Sequence, residues 1–443
     1  MSTIEKHDMT QGKILLPLVS FTIPLVLGNL FQLTYNAADS VIVGKYVGEQ
    51  ALAAVGTSTP IMNIAILLIS GMCMGASVLM SSQYGAKDYD TLSRQISTTM
   101  LAGCGFSVVF SLLMLLLANP VLRLIRVPET AIPEAAAYLR IIFMGLIFTF
   151  MYNFLANTMR ALGDSKTPLY FLVTSAFLNI FGDLFFVVVL RWGVAGSAIA
   201  TVCSEGLCCL LCGIYIKKKI PLLCLGKKWW VFDKSLLGKT VSYGSTSAMQ
   251  QVCLQLGKLI IQSVVNTQGV AVMAAFTAVN RVDDFAYTPQ QNIGHAMTTF
   301  LAQNKGAGHK ERMKKGFQTG LLIELVYSVG LFCVIWGLAP QIMTLFAEDG
   351  DAQVVSLGIS YLHLISWMYI LPGLTNGVQG FFRGIGDLKV TLYSTFMNMF
   401  GRVVAVFVMI RLLQMEFASL AWANMVGWIV MLLFEVPLLV KSM

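Results

Sequence analysis

The feature that most constrains this sequence is a series of twelve long apolar runs. They lie near residues 14–43, 53–80, 96–118, 136–159, 168–190, 194–216, 237–264, 271–301, 317–340, 357–381, 390–412 and 417–440. A helix crossing bilayer hydrocarbon needs about 20 mostly apolar residues, because its backbone polar groups must be satisfied inside the segment. Twelve such spans with short loops fill the 443-residue chain. Transmembrane strands alternate apolar and polar positions over about ten residues, and these runs do not. The first run is too long for a cleaved signal, and no small-residue cleavage pattern follows it. The expectation is an all-α integral membrane protein of twelve transmembrane helices, with the lipid bilayer as its surroundings. Composition agrees: 12% of residues are charged, against about 25% in a soluble domain. That excludes a soluble enzyme, a nucleic-acid-binding domain and a disordered scaffold.

The net charge of +8 has to be read by position. Of the 30 Lys and Arg residues, twenty-one fall in one set of alternate loops and the termini, with clusters at Lys217–Lys219, Lys227–Lys228 and Lys310–Lys315. Six fall in the opposite loops: Lys45, Arg123, Arg126, Arg140, Arg191 and Arg411. Cytoplasmic loops are the basic ones, so both termini are expected in the cytoplasm. The acidic loop Glu348, Asp349, Asp351 then lies outside. The basic excess is a topology signal, and no nucleic-acid partner is expected. The nine Cys are irregularly spaced, and Cys209-x-x-Cys212 falls inside an apolar span, where small apolar packing is the simpler reading. The four His form no ligand pattern.

An internal repeat divides the chain. Arg160-Ala-Leu-Gly-Asp-Ser-Lys166 is answered by Arg383-Gly-Ile-Gly-Asp-Leu-Lys389, 223 positions later. Asn179-Ile-Phe-Gly-Asp183 is answered by Asn398-Met-Phe-Gly-Arg402 at an offset of 219, which implies that the second copy lost about one helical turn. Gly85-Ala-Lys is answered by Gly306-Ala-Gly. The expected organisation is an amino-terminal lobe over 1–216, a Lys-rich cytoplasmic linker over 217–236 with Pro221, Trp229 and Trp230, and a carboxy-terminal lobe over 237–443. Six helices per copy make the repeats parallel, an arrangement that suggests a substrate site between two pseudo-symmetric lobes.

Ionisable groups inside membrane spans are costly and mark function. Asp39, Asp183 and Thr201 fall at similar depth, within about 3–4 Å at 1.5 Å rise per residue. Asn179 and Asp183 are four apart and share a face. Two carboxylates, an amide oxygen and a hydroxyl make an oxygen cage for a small hard cation, and the same carboxylates are candidates to carry protons. Glu205, one turn beyond Thr201, extends this site or bonds a helix backbone. Arg281, Asp283 and Asp284 nearly neutralise one another and read as a structural ion pair first. Lys258 and Arg402 lie in the second copy, where the first has its acids; with Arg281, Asp283 and Asp284 they form a candidate carboxy-lobe polar site. Glu324 and Glu435 read as near-interface or packing residues. Pro24 falls in the middle of the first span and permits a kink that the state of Asp39 could change.

These residues carry a resemblance. Pro24, Asp39, Gly48-Glu-Gln-Ala-Leu-Ala-Ala-Val-Gly56, Gln83-Tyr-Gly-Ala86, Asn157 through Pro168, Asn179-Ile-Phe-Gly-Asp183 and Gly193 through Thr201, in this order, resemble the MATE (multidrug and toxic compound extrusion) family of the MOP superfamily. The resemblance implies the MATE fold and a cation-coupled antiporter exporting organic, often cationic, compounds in exchange for H⁺ or Na⁺. It also implies a cation site at Asp39, Asn179, Asp183 and Thr201, with Asn153 and Asn157 in the neighbouring network. One branch of the family has carboxylates in the seventh and tenth helices. Here the seventh carries Gln250, Gln251, Gln255 and Lys258, so the pattern is nearer the DinF-like branch. No cofactor is expected beyond the coupling ion, and the setting expected is a monomer in the plasma (inner) membrane. The competing readings are a lipid or lipid-linked oligosaccharide flippase of the same superfamily, kept open by Lys258, Arg281 and Arg402, and an intramembrane protease, suggested by Gly384-Ile-Gly-Asp387. The latter motif recurs at Ala161-Leu-Gly-Asp164 in a cytoplasmic turn and so belongs to the repeat.

Overall fold

The computed structural model describes residues 8–125, 127–129, 131–220, 230–346, 352–413, 417 and 419–443. Among them every regular element is helical. In chain order these are α1 (Leu15–Tyr46), α2 (Glu49–Gly85), α3 (Tyr89–Leu124), α4 (Ile132–Met144), α5 (Leu146–Ala161), α6 (Lys166–Asp183), α7 (Gly193–Lys219), α8 (Lys234–Val265), α9 (Val270–Gly306), α10 (Lys310–Phe346), α11 (Ala352–Ser366), α12 (Ile370–Gly384), α13 (Leu388–Phe407) and α14 (Ser419–Ser442). They make twelve membrane-length segments, because α4 and α5 are one span bent by 47° at Gly145, and a 3₁₀ turn at Trp367–Tyr369 joins α11 to α12. Each of the twelve apolar runs falls on one segment. The acidic loop Glu348–Asp351, and Pro221 and Trp229 of the linker, lie outside the described residues.

Nine segments are apolar enough on their own to cross a membrane, and the bent α4–α5 pair makes a tenth. The two remaining, α8 and α9, are long enough at 32 and 37 residues. They fall short because they carry Lys258, Arg281, Asp283, Asp284 and a series of Gln and Asn side chains.

The repeat is written in the backbone. α2 and α9 each have 37 residues, and each starts after a glycine with positive φ, Gly48 (φ 113°) and Gly269 (φ 107°). The turns that follow them hold Lys87 (φ 58°) and Gly308 (φ 74°) in the left-handed region, and the later turns hold Gly163 (φ 88°) and Gly386 (φ 82°). Both α6 and α13 end in a π-helical turn, at Leu184–Val189 and Val408–Leu412. The lost helical turn is corrected here: the two segments run over 166–189 and 388–412, and neither is short of a turn. The Asn-x-x-x-Asp and Asn-x-x-x-Arg matches sit one turn out of register along the same face, which a sequence match cannot distinguish from a deletion. Asp164 of the repeated Gly-Asp motif caps α6, accepting from the Lys166 and Thr167 amides at 3.1 and 3.0 Å, an ordinary helix-start role.

Contacts group the chain into two units: Met1–Asp8 with Ile23–Ala248, and Met9–Thr22 with Met249–Met443. The first has its core between α2, α3, α4, α5 and α7, around Leu92, Leu139, Phe143, Phe150 and Cys212. The second packs Tyr361, Tyr369, Met343 and Ile365 at its centre. In the second unit Arg312 of α10 holds the segment before α1, donating to the carbonyls of Met9 (3.0 Å), Gln11 (2.8 Å) and Gly12 (2.7 Å).

Candidate functional site

Close approach of α6 and α7 builds the first site. A Cβ on Gly182 would stand 2.9 Å from Ala200 Cβ, and one on Gly196 would stand 3.1 Å from the Phe186 backbone. Small residues let the two backbones meet, as is usual between membrane helices. Asp183 then ends α6 at the start of the π turn, beside Ser197 on α7.

The structure brings Asp39, Asn179, Asp183 and Thr201 together. Ser197 Oγ donates to Asp39 Oδ1 at 3.0 Å. Thr201 Oγ1 donates to the Ser197 carbonyl at 3.1 Å and receives Asn179 Nδ2 at 3.2 Å. The Asp39 and Asp183 carboxyls lie beside each other, within interaction reach. Asp183 is wholly buried and Asn179 is 3% exposed. Both Asp183 oxygens and Asn179 Oδ1 are sealed from solvent without receiving a donor. Buried acceptors are normally satisfied, and these three oxygens lie beside a second carboxylate. An all-oxygen donor set suits a proton or a small hard cation rather than a transition metal.

Glu205 Oε2 accepts from Thr149 Oγ1 at 2.6 Å. The Asn153 and Asn157 amides donate to their own helix, to the Thr149 and Asn153 carbonyls at 2.9 and 2.8 Å. Three residues of this site escaped the sequence reading. Ser197 and Tyr35 each stand one turn before a named residue on the same face, a spacing that points to them. Tyr138 of α4 also lies near Asp39 and Asp183, but reaches them by packing that no local pattern announces.

In the second unit the acids behave differently from expectation. Arg281 is exposed and makes no ion pair with Asp283 or Asp284. Asp284 instead pairs with Lys258 of α8 at 3.5 Å. Asp283 is buried and accepts the hydroxyls of Tyr369 (2.6 Å) and Tyr361 (3.2 Å). Residues 281 and 283 point to different sides of one helix, and α8 supplies the nearer cation for Asp284. Glu324 and Glu435 are packed inside the unit, 1% and 0% exposed, in line with the packing side of their reading. Lys258, Asp284, Tyr287 and Arg402 line two adjoining cavities of about 250 and 240 Å³. Among the described residues no cluster of three or more His, Cys, Asp or Glu could hold a metal ion.

Comparison with known proteins is consistent across the chain. The MatE family model matches twice, over residues 24–185 and 247–410, once per repeat. The probable multidrug resistance protein YpnP of Bacillus subtilis is 32% identical over 392 residues, 88% of this chain and 86% of that protein. The probable multidrug resistance protein NorM of Thermotoga maritima is 23% identical over 93% of this chain and 89% of its own length. Among solved structures, a MOP superfamily transporter from Pyrococcus furiosus superposes with TM-score 0.92, at 21% identity, over 100% of this chain and 98% of that one.

Proposed function

Because the chain belongs to the MATE family of membrane transporters, we propose that it is a secondary antiporter exporting amphipathic organic compounds, drugs among them, in exchange for H⁺ or Na⁺. As a member of that family it is a transporter and not an enzyme. The observation that carries the coupling is the trio of buried, donor-free oxygens on Asp183 and Asn179 next to Asp39. Two ionised carboxylates side by side out of water repel each other and lose hydration. A proton or Na⁺ entering between them removes that cost, so its arrival and departure shift the balance between conformations.

Within the proposal, Asp39 and Asp183 hold the charge of the coupling ion, and the Asn179 oxygen and Thr201 hydroxyl complete the cage. Ser197 orients Asp39 through its 3.0 Å hydrogen bond. Pro24, fifteen positions before Asp39 in α1, lets that helix bend when the charge at Asp39 changes. Glu205 anchors α7 to α5 through Thr149. The protein works as a monomer in the plasma membrane with both termini in the cytoplasm.

The test is uptake of a fluorescent organic cation into proteoliposomes under separately imposed pH and Na⁺ gradients. Wild type is expected to respond to at least one gradient, which identifies the ion. Asp39→Asn is expected to lose the gradient-driven component. Full gradient-driven transport by that variant would falsify the coupling site.

A further inference from the structure

The two cavities of the second unit sit side by side and share four walls: Lys258, Asp284, Tyr287 and Arg402. The charges there are evenly matched in sign but not in engagement. Both carboxylates are already occupied, Asp284 by Lys258 and Asp283 by two tyrosine hydroxyls. The donors are not. Arg402 makes no hydrogen bond or ion pair within 4 Å to any described residue, and its Nε is sealed from solvent without an acceptor. The Tyr287 hydroxyl is likewise buried without an acceptor. An unfilled buried donor costs about as much as an unfilled acceptor, and a guanidinium presents several donors in one plane, suited to carboxylate or phosphate.

The second cavity also has an apolar portion of wall, beside polar side chains such as Thr375, Asn376 and Gln379. Leu254, Met399, Trp428 and Met431 line the second cavity. The Trp428 ring packs edge-on against Tyr287 at 6.0 Å, and Tyr287 against Tyr369 at 5.4 Å. Unpaired donors next to a Met and aromatic wall in one cavity match a molecule with an acceptor head and a hydrophobic body.

We propose that this double cavity binds amphipathic anions, whose carboxylate or phosphate head is held by Arg402 and Tyr287 and whose apolar body lies against Trp428, Met399 and Met431. The inference rests on the transport reading for its consequence, a substrate class that includes anions, but binding needs no gradient. A failed coupling test therefore leaves it standing, and the reverse also holds.

The experiment uses the purified full chain and three probes with one body: 1-naphthoate, 1-naphthyl phosphate and 1-naphthylmethylammonium, titrated by calorimetry. Both anions are expected to bind about ten-fold or more tightly than the ammonium, the scale of one charge-assisted hydrogen bond. Arg402→Gln is expected to remove that preference, and Arg402→Lys to restore part of it. Tyr287→Phe, which deletes only the hydroxyl, is expected to weaken anion binding several-fold, so it decides the matter should Arg402→Gln not fold. Arg140→Gln, an exposed charge in the first unit, is the control. Equal or tighter binding of the ammonium, or anion binding unchanged in the Arg402 and Tyr287 variants, overturns the proposal. A second arm follows a fluorescent phosphatidylglycerol across proteoliposome leaflets by dithionite quenching. Arg402-dependent movement identifies the head as a lipid's, and no movement with naphthyl-anion binding intact identifies a free anion.

Discussion

Gly380 and Gly105 are both mid-helix glycines, yet their surroundings give opposite expectations. A Cβ on Gly380 of α12 would stand 2.7 Å from the Gly294 carbonyl oxygen of α9, a backbone atom that cannot move aside, while one on Gly105 of α3 meets nothing within 4 Å. Gly380→Ala is expected to destabilise by about 1–3 kcal/mol through overpacking. Gly105→Ala is expected to stabilise by about 0.5–1 kcal/mol, the helix propensity it gains. Thermal unfolding of the two variants in one detergent checks the pair, and equal shifts would contradict the argument. Chemical character is similarly uneven in how far sequence reveals it. Asp39, Asn179, Asp183 and Thr201 could be brought together on paper because helical spacing fixes both face and depth. Arg281, Asp283 and Asp284 could not be assigned, because adjacent residues on a helix point about 100° apart. Their partners, Lys258 and two tyrosines, come from other helices.

Helix α1 passes through Pro24 without interruption, so one carbonyl in the preceding turn lacks its usual amide partner. Pro24→Ala restores a hydrogen bond worth about 1 kcal/mol and stiffens the helix that carries Asp39. The expected result is a higher unfolding temperature with slower gradient-driven uptake, roughly several-fold, and unchanged ion binding at the Asp39 cage. Unaltered uptake would remove the hinge role of α1. Span positions were legible because bilayer thickness imposes a minimum apolar length on every helix. The breaks were not: the 47° bend at Gly145 and the 3₁₀ turn at Trp367–Tyr369 fall inside continuous apolar sequence. The π turns closing α6 and α13 were equally silent. What permits each is packing against neighbours, and hydropathy carries no record of that.

For the whole molecule, the distribution of Lys and Arg gives a direct expectation about orientation. In intact cells with native cysteines replaced, a membrane-impermeant maleimide should label Arg191→Cys and should label Lys310→Cys only after permeabilisation. The inverse pattern would reverse the topology. Grouping of Met9–Thr22 with residues 249–443 had no sequence signature, because Arg312 holds that segment through main-chain carbonyls that any residue would offer. The polar pair α8–α9 also sets a condition on how the chain is made. Most of its helices can leave the translocon for lipid one at a time. A charged residue at a helix centre, however, costs about 2.5–3.5 kcal/mol on insertion, and α8 and α9 carry Lys258, Arg281, Asp283 and Asp284 between them. Separated only by residues 266–269, they can enter as a hairpin with Lys258 already paired to Asp284. The ion pair that borders the cavity of the finished protein would, formed early, lower the cost of bringing its two least hydrophobic helices into the membrane.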